Sequence, residues 1–486
     1  MKKPFGVLIL LCLIAACSAA PTYKGEPDVA IRNVSVVDVG NASVTPDQTV
    51  LIEENRIVWV GSLDKGKSKD AVTTIDGNGG HLIPGLWDSH VHVFTDANEP
   101  GFALPLYVLN GVTGIRDMGA LISLDEQNKI KRDVASGVRI GPTIVSAGAL
   151  IDGPPGAWPN QMVAATPEEG RARVRAAKAD GWSGVKAYSL LRSDVYKAIA
   201  DEARTSGMAL YGHIPETVTL DQAIHAGQRS ISHFGRITQA CSTQEVEMIA
   251  ANAAALDADD NFATLMDVMA GHNQTVYDTW DEELCRDVAA HLAASDIAIS
   301  PTLMVSDFYT FKDPSDDDPR MQTVPRSVRA QWKQADFRRR QMTNEMLDMA
   351  PKSIALDWRT FKLMHDAGVP IIAGTDAAWI NPYLFHGATL HDELARYVEA
   401  GLTPADALAT ATTIPARIFD TGLYTGAIEP GAAADLVLLE DNPLTDVDAT
   451  RTIQTVISGG RLYDKKALDA LREKLEADAD ATAPQP

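Results

Sequence analysis

An α/β fold is predicted, a (β/α)8 TIM-like barrel with a small composite β-sandwich built from both ends of the chain, and three observations on the 486 residues predict it. β-branched runs broken by turn residues stand near both termini. Short apolar runs alternate with helical stretches between them, which is the mark of a parallel βα series. The length suits one large barrel, which often takes roughly 250 residues or more, together with one small domain.

The first element is a leader. Lys2-Lys3, the apolar run from Phe5 to Ala16 and Cys17-Ser18-Ala19-Ala20 give the charged start and short apolar stretch of a secretory signal. Such a run is too short to span a bilayer. Ile14-Ala15-Ala16-Cys17 resembles a bacterial lipobox, which makes Cys17 the lipidation candidate; cleavage after Ala20 is the alternative. Residues 1–20 are therefore read as a signal peptide. The chain is expected to be exported, as a periplasmic or outer-membrane-anchored lipoprotein or otherwise secreted, and to meet membrane only through its lipid.

Residues 21–83 are read as the N-terminal half of the β-sandwich, with strands in Val29–Asp38 and in the stretch from Gln48 to Gly61. Residues 426–465 are its C-terminal half, with Asp435-Leu-Val-Leu-Leu-Glu440 and Thr452–Tyr463. Between them, residues 84–425 hold eight strand candidates: Ile83–Phe94, Gly111–Met118, Thr143–Ala147, Gly184–Tyr188, Ala209–His213, Ser230–Phe234, Ile297–Leu303 and Pro370–Gly374. Glu168–Asp180 and Ser193–Ser206 are rich in good helix formers and read as crossover helices. The segments from Cys241 to Ser295 and from Asp307 to Arg359 exceed what a crossover needs, so extra helices over the barrel mouth are expected. Residues 466–486 read as an acidic tail.

Composition narrows the function classes. With 43 Lys+Arg against 65 Asp+Glu the net charge is −22, and removing residues 1–16 takes away two lysines and no acid to leave −24. Such a chain repels phosphate backbones and has no clustered basic stripe, so nucleic-acid binding is not expected. Outside the leader and lipobox only Cys241 and Cys285 remain. Export permits a disulfide between them, and two buried or free thiols are the alternative.

The chemistry sits at the carboxyl ends of the strand candidates, where barrel active sites are built. In Trp87-Asp88-Ser89-His90-Val91-His92 the two histidines stand two apart, so a strand presents both imidazoles on one face. Lys186 lies inside an apolar strand, where an unpaired ammonium is costly and its pKa falls. A neutral lysine can take up carbon dioxide as a carbamate, an anion able to bridge two cations. His213 ends the fifth candidate, His233 the sixth, and Asp376 follows the eighth. Each has a plain structural explanation alone, but six metal-competent groups at one end of five strands form a joint pattern.

Ile83-Pro84-Gly85-Leu86-Trp87-Asp88-Ser89-His90-Val91-His92, with Lys186, His213, His233, Gly374-Thr375-Asp376 and Pro430-Gly431-Ala432-Ala433-Ala434-Asp435-Leu436, resembles the amidohydrolase superfamily, most closely its imidazolonepropionase-like and Xaa-Pro dipeptidase-like branch. The resemblance implies a distorted barrel and two divalent ions, usually zinc. It implies that His90, His92 and Asp376 hold one ion and His213 and His233 the other. The carbamate of Lys186 and carbon dioxide would bridge them, and Asp376 would be the general base toward a hydroxide shared by the metals. Hydrolysis of an amide-type C–N bond in a small molecule or short peptide follows. A mononuclear cyclic-amide hydrolase or deaminase and a non-catalytic surface lipoprotein are the alternatives. A homo-oligomer stays open.

For substrate contacts, Tyr188 shares a face with Lys186, Trp158 ends the stiff loop from Asp152, and His386 follows the eighth strand, as does His391. Dipeptidase-like relatives often carry His-Ala-Tyr at the fifth strand, with the tyrosine serving the substrate carboxylate. Here Ile214-Pro215 follow His213, so that anchor is absent.

Overall fold

The computed structural model describes residues 25–62, 71–119, 121–158, 161–258, 261–308, 310, 313–334, 336, 338, 342–419, 422 and 424–481. The signal segment and Cys17 lie outside the described residues.

The chain opens with β1 (Val29–Asp38), β2 (Ser43–Glu53), β3 (Arg56–Gly61), β4 (Thr73–Asp76) and β5 (His81–Pro84), and closes with β15 (Leu436–Leu439), β16 (Ile453–Ser458) and β17 (Arg461–Tyr463). These form one eight-stranded sheet in the order β17-β16-β15-β5-β1-β2-β3, with β4 beside β1. The two ends of the chain meet at β5 and β15, where Ile83 pairs antiparallel with Val437. Successive residues of β15 face opposite sides. Leu436 and Leu438 join a core belonging to this sheet, with Ile31, Val50 and Leu82. Val437 and Leu439 join the main core of the α/β body.

That body contains β6 (Leu86–Val91), β7 (Val112–Asp117), β8 (Thr143–Ser146), β9 (Ala149–Asp152), β10 (Met162–Val163), β11 (Gly184–Ala187), β12 (Ala209–Gly212), β13 (Ser230–Ser232) and β14 (Ala298–Ser300). All its ladders are parallel, in the orders β6-β7-β8 and β10-β9-β11-β12-β13-β14. Crossover helices Pro167–Ala179 and Ser193–Thr205 alternate with them, and the first starts at Thr166, whose side chain accepts the Glu169 N–H as a cap. The arrangement is TIM-barrel-like.

Several expectations are modified. The run Ile83–Phe94 is shared between two sheets, because the chain turns from β5 into β6 at Gly85. A Cβ there would stand 2.1 Å from Thr113 Oγ1 of β7, so only glycine lets this turn pass β7 this closely. The eighth candidate, Pro370–Gly374, is not a regular strand: single bridges join Ile371 to Ile299 and Ala377 to Val91. Pro370 has no N–H to give a ladder, yet the segment still spans β14 and β6. The acidic tail at 466–486 is instead helical over Lys465–Ala481, with Leu468, Leu471, Leu475 and Ala479 buried. Their i, i+3, i+7, i+11 spacing forms an apolar stripe that outweighs the surrounding charge.

The two long segments are helical, as expected. Glu245–Ala255, Asn261–Ala270, His272–Thr279 and Glu282–Ala293 occupy the first, and Leu303–Phe308, Arg326–Gln334 and Asn344–Asp366 the second. Cys241 and Cys285 form a disulfide, Cα to Cα 4.5 Å, which settles the open alternative. The fold brings them together across 44 residues of sequence, a proximity that spacing cannot reveal.

Candidate metal centre

The strand ends deliver the six side chains to one place. His90 is fully buried near the end of β6, and His92 lies just past it. Both imidazoles reach Asp376 Oδ1, each Nε2 at 3.2 Å, as the i, i+2 spacing requires. Asp376 is brought there by the irregular segment, whose Thr375 and Asp376 N–H groups both donate to His90 O. Gly374 permits that approach, since a Cβ would stand 2.6 Å from His90 Cβ. Asp376 and His233 are non-glycine residues with φ of 58° and 66°. Two such backbones converging on one site are local strain of the kind that functional sites hold.

His233 packs 4.9 Å from the His90 ring and 4.8 Å from the His213 ring, centroid to centroid. Ligand atoms of His90, His233 and Asp376 all lie within 4.8 Å of one another. This grouping crosses the division of ligands that the family resemblance implies. Lys186, in β11, is fully buried, and its Nζ takes no hydrogen bond from any described residue. The Nζ stands 5.3 Å from the centre of the Tyr188 ring, which in turn packs 4.1 Å from His213.

The outer nitrogens of three histidines are held by neighbours that sequence reading did not single out. His92 Nδ1 meets Gly119 O at 3.2 Å, His213 Nδ1 meets Ser189 Oγ at 2.8 Å, and His233 Nδ1 meets Thr302 Oγ1 at 2.8 Å. Such contacts fix the ring and its tautomer, leaving Nε2 for an ion. Ser189 stands three residues after Lys186, which is a faint local signal. Thr302 had none.

Protonation also suits a metal. Burial holds His90 and His213 well below the usual imidazole range and His233 at about 4, so all three are neutral donors. Burial lowers Lys186 to about 8, which makes its neutral amine accessible near neutral pH. Burial alone would raise Asp376, but the hydrogen bonds of His90 and His92 hold it well below the carboxylate range. An orphaned buried amine among neutral imidazoles and one carboxylate is a donor set that fits divalent cations.

His92, His213, His233 and Asp376 open on a cavity of about 910 Å³. Tyr188 and Trp158 line it, together with Ser189, Glu216, Arg236, Gln239, Asn252, Asp357 and Asn381. Trp158 is presented by a loop tied down by Asp152, whose carboxylate accepts the Gly153, Ala157 and Leu190 N–H groups. His386 is not at this cavity. It is buried, with Nδ1 2.9 Å from the Tyr107 hydroxyl and Nε2 3.2 Å from Glu99, which corrects its reading as a substrate contact. Glu99 also accepts the Trp379 N–H, so the pair braces the chain just beyond Asp376. His391 is equally internal, between Thr450 Oγ1 and Asn110 O.

Adenine deaminase from Leuconostoc mesenteroides subsp. mesenteroides is 33% identical over 87 residues, 18% of this chain and 15% of that protein. Ochratoxinase from Aspergillus niger is 34% identical over 102 residues, 20% of each chain. The chain thus spans a fifth or less of these curated relatives. Among solved structures, bottromycin amidohydrolase superposes with a TM-score of 0.66 at 19% identity, covering 93% of this chain and 90% of that one. A Xaa-Pro dipeptidase with bound methionine gives 0.60 at 20% identity, covering 90% and 99%. These likenesses are of fold. The sequence model of the Amidohydrolase family matches residues 81–463, from β5 through β17 and including every proposed ligand, and the chain belongs to that family.

Proposed function

We propose that this protein hydrolyses an amide-type C–N bond in a small molecule or short peptide, with two divalent cations, zinc being the expected metal, held by His90, His92, His213, His233, Asp376 and the carbamate of Lys186. The observation that carries the reading is the buried Lys186 amine without a hydrogen-bond partner at the end of the body where the imidazoles and Asp376 converge. Bound cations would supply Lewis acidity for the scissile carbonyl and lower the pKa of a water for attack. The neutral Lys186 nitrogen bonds to the carbon of carbon dioxide and releases one proton, leaving an anion that suits a site of neutral imidazoles. Asp376 takes the proton of the attacking water on its carboxylate and passes it to the leaving nitrogen. Ser189 and Thr302 hold the His213 and His233 rings during these steps, while Tyr188 and Trp158 flank the substrate.

Elemental analysis of the purified chain, beside Lys186→Ala, tests this together with an amide screen. Two ions per chain, reduced in the variant with loss of activity, are expected. One ion unchanged by the substitution overturns the two-metal reading. It would favour the mononuclear cyclic-amide hydrolase or deaminase, for which the compact group of His90, His233 and Asp376 argues. Export with a lipid on Cys17 is part of the same proposal, and the Cys241–Cys285 disulfide suits an oxidising compartment. Cys17→Ala is expected to release the protein from membranes; unchanged fractionation would sink the anchor.

A further inference from the structure

The part of the cavity lining outside the proposed metal ligands has its own chemistry. Among the described residues lining the cavity, Arg236 is the one lysine or arginine. It is already engaged: Nη2 donates to Val218 O at 2.7 Å, Nη1 donates to Gln239 Oε1, and Glu216 Oε2 stands 3.6 Å away. Its charge is therefore compensated by Glu216. Asp357 adds a second carboxylate, from helix Asn344–Asp366. Thr238 donates to its Oδ1, and its other oxygen takes no hydrogen bond from a described residue. No described cation pairs with Asp357, although it is 9% exposed. Burial pushes its carboxyl up to about 6, so it is ionised at pH 8. A buried carboxylate facing a cavity without a cation is costly unless a ligand supplies the charge.

Two amides beside it each carry one unpartnered atom. Asn252 is 1% exposed, its Nδ2 donates to Glu216 O at 2.9 Å, and its Oδ1 has no partner. Gln239 is 8% exposed, its Oε1 is taken by Arg236, and its Nε2 has no partner. Both line the cavity. In each amide the engaged atom fixes the orientation, so the free atoms are one acceptor and one donor. Phe262, Met269 and Leu356 supply an apolar surface beside them.

We propose that Gln239, Asn252 and Asp357 form a subsite for a cationic nitrogen of the substrate, a primary ammonium or guanidinium on an apolar spacer, with a neighbouring oxygen accepting from Gln239. Asp357 and Asn252 accept the N–H groups, as charge-assisted hydrogen bonds do best in a dry site. Arg236, neutralised by Glu216, does not serve as a carboxylate anchor. The preferred substrates are then amides bearing a positive charge, not acidic ones. The assignment rests on the amide-hydrolase reading for what the cavity does, but its test needs no turnover.

The test is calorimetric titration of the full chain at pH 8 with hexylguanidine, hexanol and hexanoate, which share one apolar chain and differ in charge. Hexylguanidine should bind about tenfold more tightly than hexanol, the worth of about one charged hydrogen bond. Asp357→Asn should remove that advantage while leaving hexanol affinity and metal content unchanged. Lys186→Ala should retain it. Equal binding of hexylguanidine and hexanol by the unsubstituted chain overturns the proposal, as does an undiminished advantage in Asp357→Asn. Tightest binding of hexanoate overturns it in favour of Arg236 as an anion anchor. Failure of the two-metal reading would show instead in the metal analysis, with the preference for hexylguanidine intact.

Discussion

The two walls of the one cavity are built by different means. At the histidine end, five of the six side chains sit on or just beyond strands β6, β11, β12 and β13, and Asp376 arrives on a segment bridged to both β6 and β14. In the rest of the lining, Arg236 and Gln239 come from helix Gly235–Ala240, Asn252 from Glu245–Ala255 and Asp357 from Asn344–Asp366, with Glu216 on the chain after β12. A parallel sheet positions its strand ends as one rigid rim, which suits groups that must converge on an ion. Helices inserted over the mouth can differ without disturbing that rim, which suits groups that select a substrate. On the proposed assignments, the groups for the reaction and those for the choice of substrate come from different elements of this molecule.

The strongest way to break that separation is at Asp376. Asp376→Asn should lower kcat by about 10²–10⁴-fold, the usual worth of a general base, with hexylguanidine affinity preserved. A parallel loss of hexylguanidine binding would show that the two walls act as one unit. The next effect concerns stability. The Cys241–Cys285 bond closes 44 residues that include Asn252 and the one helix bearing Phe262 and Met269, so replacing both cysteines by serine should cost about 4 kcal/mol by loop entropy. Denaturant midpoints would report it, and metal content should survive in the folded variant while hexylguanidine affinity weakens. An unchanged midpoint would mean that the bond does not pin this part of the lining. Smaller again, Ser189→Ala and Thr302→Ala should each weaken metal retention about 10–100-fold in competition with a chelator. The smallest effect is that of Asp357→Asn, about tenfold on the cation and nothing on bound metal. Loss of metal in that variant would erase the distinction from the other side.

The metal end was legible because its marks are local. A histidine pair two apart, a lysine in an apolar run and an aspartate after Gly374-Thr375 can be read along the chain, and the period of a strand turns that spacing into a shared face. The rest of the lining was not legible. Asp357 lies 119 residues from Thr238, the hydroxyl that orients it, and nothing near it in sequence separates it from a solvated acid on an ordinary helix. His386 failed in the opposite sense: its position after the eighth strand suggested the site, but Tyr107 and Glu99, both contributed by the turn-and-helix region after β6, draw it inward. The C-terminal helix was hidden by composition, since the acids around Leu468, Leu471 and Leu475 read as a tail until the buried stripe is counted.

By itself the sequence determined the alternation of strands and helices and the sheet shared by both termini, and it singled out the six residues proposed to hold metal. Each of these depends on the periodicity of one element or on a residue type whose burial is costly, and such properties are written within a few residues. Only the tertiary structure decided that Cys241 meets Cys285, that His90, His233 and Asp376 cluster most closely, and that Glu216, Gln239, Asn252 and Asp357 share a wall. Those contacts join side chains tens to hundreds of residues apart, and their energies depend on distance and burial, which exist only once the chain has packed.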